Sequence, residues 1–246
     1  MNLATPYTPA LEQIMNTHTF TFGEHLLTAM PSGALWWADR RLLCVSDLHL
    51  GKSDRVARRS GVMLPPYETR ETLAKLTQDI ALTDPEAVLC LGDSFDDLMA
   101  ADSLTEADFT TLTSLQVRRH WLWLEGNHDP GPLALGGTHL AMHRDGGLTF
   151  RHIASDTPFE VSGHYHPKYA IPGVGGARPC FLTDTNRLIL PAYGAYTGGL
   201  RANDPSLTRL FSGSTIAILT GHRAICVPLK LSAHPALPSR SRGSKR

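Results

Sequence analysis

The chain has 246 residues, 42% of them hydrophobic, with 23 Lys and Arg against 23 Asp and Glu. That length and apolar content predict a single large packed domain and exclude a disordered chain. Zero formal charge excludes a global field for nucleic acid, so any such contact must come from a local patch.

No apolar stretch approaches the roughly 20 residues that span a bilayer. Met1 to Thr17 lacks the basic-then-apolar order of a secretory signal. A cytoplasmic protein with no membrane partner is therefore expected. Residues 1–17 read as a flexible arm, 18–234 as one domain and 235–246, rich in Ser, Arg and Lys, as a disordered basic tail. Cys44, Cys90, Cys180 and Cys226 are widely spaced and form no C-x-x-C pair. Reduced, buried thiols are expected rather than disulfides or a thiolate metal site.

Along the chain, strands are predicted at Thr19–Phe22, Leu26–Met30, Ala34–Trp37 and Arg41–Val45, with a hairpin turn at Ala38-Asp39-Arg40. Leu73, Leu76 and Ile80 recur at helical spacing within Thr69–Leu82. Ala87–Leu91 reads as a buried strand, Leu104–Leu115 as a second helix and Trp121–Leu124 as a strand. Leu148–Phe150 and Phe159–Ser162 follow as strands. The last third reads as β-rich, with hairpins near Thr185-Asn186 and Gly221-His222. The alternation predicts an α/β sheet with its functional residues at strand C-termini. Trp36, Trp37, Trp121 and Trp123 could stack on bases, but aromatics this close on a strand are read as one core face and one other rather than as base-stacking groups.

Four short motifs end apolar runs in order: Ser46-Asp47-Leu48-His49, Gly92-Asp93, Gly126-Asn127-His128-Asp129 and Gly163-His164-Tyr165-His166. If Asp47-x-His49 is extended, both side chains fall on one side and can clasp one metal. Asp93 offers two oxygens that can bridge two cations. Asn127 adds a neutral carbonyl oxygen, and His164-x-His166 projects two imidazoles together. The fifth histidine ligand is assigned to His152, which closes the strand Leu148–Phe150, with His143 as the alternative. This mixed N/O set without thiolate argues against structural zinc and suits manganese, iron or catalytic zinc. Two cations ~4 Å apart lower the pKa of a bridging water and clamp both the attacking and the leaving oxygen. His128, beside a ligand, is assigned to protonating the leaving oxygen or stabilising phosphoryl charge, and Asp129 to orienting its ring. Lys52, Arg55, Arg58, Arg59 and Arg70 make a basic stretch just downstream of the first motif, read either as phosphate contacts, with Lys52, Arg58 and Arg59 the candidates, or as a solvated helix face.

The ordered motifs resemble those of the calcineurin-like metallophosphoesterases. That resemblance implies a four-layer αββα sandwich. It also implies that Asp47, His49, Asp93 and His166 hold a first metal and that Asp93, Asn127, His152 and His164 hold a second.

A narrower resemblance rests on several further stretches. Ser46 to Lys52 is followed by Arg58-Arg59, Gly61 and Leu64-Pro65-Pro66. Later come Leu91 to Phe95, Gly163 to Pro167, Arg178-Pro179-Cys180-Phe181 and Leu190 to Leu200. Together they are similar to the bacterial ligase-associated DNA damage response metallophosphoesterases. What this implies is a manganese-dependent endonuclease cleaving single-stranded or unpaired DNA in repair, by metal-activated hydroxide attack on phosphorus. A DNA ligase, a helicase and an exonuclease of the same gene cluster are implied partners. One departure stands out: the position three after Asp93, often His in that family, is Asp96.

A small-molecule phosphoesterase or pyrophosphohydrolase is the alternative. It is disfavoured because His152-Ile153-Ala154 replaces the His-Gly-Asp usual there. A non-catalytic scaffold of this fold is disfavoured by the presence of His128.

Overall fold

A computed structural model describes residues 16–61, 67–97, 99–100, 104–131 and 135–229. The expectations for most of the N-terminal arm, the basic tail and Leu64-Pro65-Pro66 lie outside these residues.

Two sheets form the molecule. In the first, β1 (His18–Phe22), β2 (His25–Ala29), β3 (Leu35–Trp37) and β4 (Leu42–Val45) make an antiparallel meander. From β4 onward, β5 (Ala87–Cys90), β6 (His120–Leu124) and β7 (Thr138–Leu140) add in parallel. Parallel neighbours need crossovers. Those between β4 and β5 carry α1 (Lys52–Ser60) and α2 (Glu68–Thr83), and α3 (Glu106–Gln116) lies between β5 and β6.

The second sheet contains β8 (His143–Asp145), β9 (Leu148–Arg151), β10 (Glu160–Ser162), β12 (Val174–Thr183), β13 (Arg187–Ile189), β14 (Thr215–Leu219) and β15 (Ile225–Leu229). Their spatial order is β15-β14-β12-β13-β10-β9-β8, and β11 (Lys168–Ile171) pairs with β12 to one side. The mixed α/β sandwich expected from sequence is the fold observed.

The period of two along each strand sorts side chains into layers. In β4, Leu43 and Val45 face the helices while Leu42 and Cys44 face the second sheet. Val88 and Cys90 against Leu89 and Leu91 repeat the pattern after the next crossover. Strands buried on both faces read as continuous apolar runs, which is why these were legible from sequence. Leu73, Leu76 and Ile80 of α2 and Leu112 and Leu115 of α3 cover the first sheet's outer face. Trp37, Phe150 and Phe181 fill the space between the sheets. Phe181 faces inward while its neighbours Cys180 and Leu182 face outward, onto Ala202 and Leu207. Leu207 belongs to the short helix α4 (Pro205–Thr208), so among the described residues the fourth layer is a loop with one helical turn.

The tryptophans expected in the core are there, with Trp37, Trp121 and Trp123 buried and Trp36 half-buried. The cysteine expectation needs one correction. Cys44, Cys90 and Cys180 are free and buried, but Cys226 is exposed, on a strand with one open face. Ala38–Arg40 forms a turn of 3₁₀ helix rather than a simple hairpin loop, closed by Arg41 in the left-handed region.

Candidate metal centre

The ends of β4, β5, β6, β9 and β10 bring the motifs together between the two sheets. The first correction concerns how Asp47 and His49 come to share a site. Neither is extended: both adopt positive φ, 54° and 47°. Asp93, His164 and His166 do the same, at 47°, 71° and 46°. Such backbone is rare for residues with a Cβ and is costly, and it clusters where function demands a fixed geometry. The surrounding strands impose it through Asp47 N–H to Gly92 O (3.2 Å) and His49 N–H to Asp93 O (2.9 Å).

Three groups of possible ligands result among the described residues; the third, His49, Asp96 and His128, shares His49 with the first. The first joins Asp47, His49 and His166. His166 Nε2 lies 3.0 Å from Asp47 Oδ1 and 3.4 Å from His49 Nε2. Asp47 Oδ1 is buried and, though within ion-pair reach of that ring, sits off any hydrogen-bond axis. Asp47 Oδ2, in contrast, accepts from His164 N–H at 2.9 Å and from the Ser46 hydroxyl. Burial alone would push the Asp47 carboxyl up, but the His166 and His152 rings outweigh it and hold it below the usual carboxylate range.

The second cluster joins Asp93, His152 and His164, with Asn127 beside them. His152 Nδ1 is 2.8 Å from the Leu91 carbonyl. A carbonyl only accepts, so Nδ1 carries a proton and Nε2 is the nitrogen turned inward. The Asp93 and Asp47 carboxylates push the imidazole up against the effect of burial. Nε2 meets Asn127 Oδ1 at 2.9 Å, His164 Nδ1 at 3.2 Å and Asp93 Oδ2 at 3.3 Å. Two oxygens and two imidazole nitrogens thus converge on one point, where a cation can take the place of a shared proton. Together with the orphaned Asp47 Oδ1, this convergence is the donor arrangement that a pair of divalent metals fits. Asp93 is also held below the usual carboxylate range, the neighbouring His152 overriding the effect of burial.

His164 and His166 therefore do not project together. They diverge, one to each cluster. His143 sits on β8 with its ring 6.0 Å from Phe150, so it is His152 that the fold brings to the centre.

His128 stands at the open edge, with its side chain about a quarter exposed. Its Nδ1 donates to the Asp96 carbonyl at 2.8 Å, which turns Nε2 toward Asp93 Oδ2, 3.9 Å away. The assignment of Asp129 to this ring is corrected. The Asp129 carboxylate instead accepts from the backbone N–H groups of Asp93 (2.9 Å), Ser94 (2.8 Å), Phe95 (3.1 Å) and Gly126 (3.1 Å). It braces the loop that carries Asp93. Burial pushes it up to about 6 despite those donors.

Asp96, the departure noted from sequence, is fully buried. One oxygen lies 2.9 Å from His49 Nδ1 and the other contacts Arg55. The His49 contact is an ion-pair approach with neither atom in a hydrogen bond, so it sets a negative charge behind this candidate ligand rather than its tautomer. Arg55 belongs to the basic stretch read as phosphate contacts or a solvated helix face, and its guanidinium is instead engaged by Asp96.

Of the basic stretch, Arg58 is engaged by Asp54 at 2.7 Å and Asp97 at 3.0 Å. Its guanidinium is committed to carboxylates rather than open to phosphate. Lys52 and Arg59 lie on the same helix, half-buried and exposed.

Gly163 is required by close approach. A Cβ there would lie 1.7 Å from Ser46 Oγ and 2.6 Å from Asp47 Oδ2, so no side chain fits between the β10 turn and the first motif.

A family model described as Calcineurin-like phosphoesterase matches residues 40–222, more than half of the chain. No curated protein matches the sequence. Among solved structures, that of the Pseudomonas putida nuclease MPE matches with a TM-score of 0.68 at 25% identity, covering 87% of this chain and 100% of that one.

Proposed function

Because the chain belongs to the calcineurin-like phosphoesterase family, we propose that this metal-dependent phosphoesterase is a manganese-dependent endonuclease of DNA repair that cleaves single-stranded or unpaired DNA. The observation that carries the nucleic-acid reading is the likeness to a nuclease over that protein's whole length. Manganese is supported by the donor set of carboxylate, amide oxygen and imidazole without thiolate. With zero net charge, tight binding by this chain alone is not expected, so a helicase, exonuclease or ligase partner presents the strand.

What bound divalent cations supply at such a centre is Lewis acidity, which activates water and offsets charge on the phosphoryl oxygens. Asp47, His49, Asp93 and His166 would hold one and Asp93, Asn127, His152 and His164 the other. The chain's own part is orientation and proton transfer. The Leu91 carbonyl orients His152, the Asp96 carbonyl orients His128, and the Asp96 carboxylate sits behind His49. His128 Nε2, at the open edge, delivers a proton to the leaving oxygen. Lys52 and Arg59 meet flanking phosphates.

The test is incubation of a closed circular single-stranded DNA with manganese and the wild-type, His128→Ala or Asp93→Ala protein. Linear product from wild type alone is expected, because a circle has no ends for an exonuclease. His128→Ala should keep its metal and lose turnover, whereas Asp93→Ala should lose both. An uncut circle alongside hydrolysis of a generic phosphodiester moves the substrate to a small molecule and overturns the DNA reading.

A further inference from the structure

In Gly163-His164-Tyr165-His166 the two histidines go to the metal clusters, and Tyr165 between them is left without a role there. Its ring stands edge-on to His164, with centroids 5.1 Å apart and planes at 84°. The Ala154 backbone lies against its hydroxyl, and its body packs on the outer apolar layer of the second sheet. The ring is thus gripped along its length, which lowers the entropy lost when something stacks on it.

In front of it opens a cleft of about 340 Å³, bounded by His164, Tyr165, His166, Gly199 and Leu200. Two of these are metal-cluster residues, so whatever fills the cleft adjoins the reacting phosphorus. The far wall is the end of the Leu190 to Leu200 run, to which the metal chemistry gave no role. Gly199 is required by close approach, since a Cβ there would lie 2.1 Å from the His166 carbonyl and 3.0 Å from Lys168 Cε. The lining is aromatic, aliphatic and imidazole, with no carboxylate. Lys168, beside Gly199, donates from Nζ to Thr197 O at 3.0 Å, and its backbone bridges to the exposed Arg201. A flat uncharged ring in the cleft, with a phosphate on either side of it, matches this distribution.

We infer that the cleft holds the nucleobase next to the scissile phosphate, stacked on Tyr165, with Lys168 and Arg201 meeting the next phosphate. The inference rests on the nucleic-acid reading and adds where the strand runs. Stacking recognises the face that every base has, so this contact demands a base without choosing among bases.

The test measures binding by the full chain in a His128→Ala background, with manganese present and cleavage suppressed. Two probes of equal length and charge are used, an oligothymidylate and an abasic oligomer. Adding Tyr165→Ala should weaken the oligothymidylate roughly 5- to 100-fold and leave the abasic oligomer unchanged. Tyr165→Phe should restore the difference. Equal loss on both probes, or loss on neither, overturns the inference while leaving the nuclease reading standing. Binding of neither probe before Tyr165 is changed overturns the inference, and cleavage of the closed circle decides the nuclease reading separately.

If Tyr165→Ala does not fold, a 5-iodouracil oligomer photocrosslinked to the His128→Ala chain decides the matter. Attachment at Tyr165 is expected, and attachment only elsewhere overturns the inference.

Discussion

Asp129 accepts from four backbone amides, so beyond its charge repulsion with Asp93 it acts through the chain it gathers. Removing it leaves buried N–H donors unpaired, at about 1–3 kcal/mol for each one that finds no water. Asp129→Ala is therefore expected to lower unfolding stability by that order. It should also reduce metal content, because the loop carrying Asp93 loses its anchor. Denaturant titration and metal analysis check both effects, and a variant with normal metal content would refute the anchoring role. The same residue marks what was legible in the sequence. Side-chain types at motif spacing identified Asp47, Asp93, His152 and the other candidate ligands. What orients those ligands is largely backbone, as with the Leu91 carbonyl behind His152 and the Asp96 carbonyl behind His128. Every residue has such a carbonyl, and only the tertiary fold decides where it points. Asp129 looked like an orienter by adjacency alone. At the turn it occupies, the carboxylate faces the loop amides rather than its neighbour's ring.

Elements with two buried faces announced themselves as apolar runs, while α1 buries none of its residues and carried no such signal. Tyr193, in the run from Leu190 to Leu200, shows how an element can support the site from behind. Its N–H donates to Ser46 O at 2.7 Å, and Gly194 N–H donates to Asp47 O at 3.1 Å. The Tyr193 hydroxyl donates to Asp79 of α2 at 2.7 Å, and Lys75 of α2 lies 3.9 Å from its ring centroid. Burial pulls the Lys75 ammonium down to about 8, against the charge of Asp79. An unfolded lysine titrates near 10.4. Below pH 8 the folded and unfolded chains both hold this proton, but between 8 and about 10.4 only the unfolded chain does. Lys75 therefore makes unfolding stability rise as pH climbs through that window, by roughly 2–4 kcal/mol in all. Tyr193, kept protonated by burial, acts in the opposite sense only above about pH 10. Chemical denaturation from pH 7.5 to 10 should show wild-type stability gaining on Lys75→Met. Parallel profiles for the two proteins would show that Lys75 titrates normally.

The two sheets divide the candidate ligands between them. Asp47, His49, Asp93 and Asn127 follow strands of the first sheet, and His152, His164 and His166 follow strands of the second. Elsewhere the seam is apolar packing around Trp37, Phe150 and Phe181, which holds the sheets together without fixing their positions to a fraction of an ångström. At the metal end, direct ties such as His164 N–H to Asp47 Oδ2 run alongside candidate ligands that face each other across the seam. A cation that binds only the folded arrangement adds a bond between the sheets. At a hundredfold excess over its dissociation constant it adds about 2.7 kcal/mol. For a chain of this size that corresponds to a rise in Tm of roughly 5–10 °C. Thermal unfolding with manganese, against the same protein after chelation, should show this shift. Asp93→Ala, which loses the residue proposed to hold both metals, should abolish it. His152→Ala should retain part of it, since Asp47, His49, Asp93 and His166 remain. An undiminished shift in Asp93→Ala would mean that manganese stabilises the chain elsewhere and that the seam between the sheets is not its site.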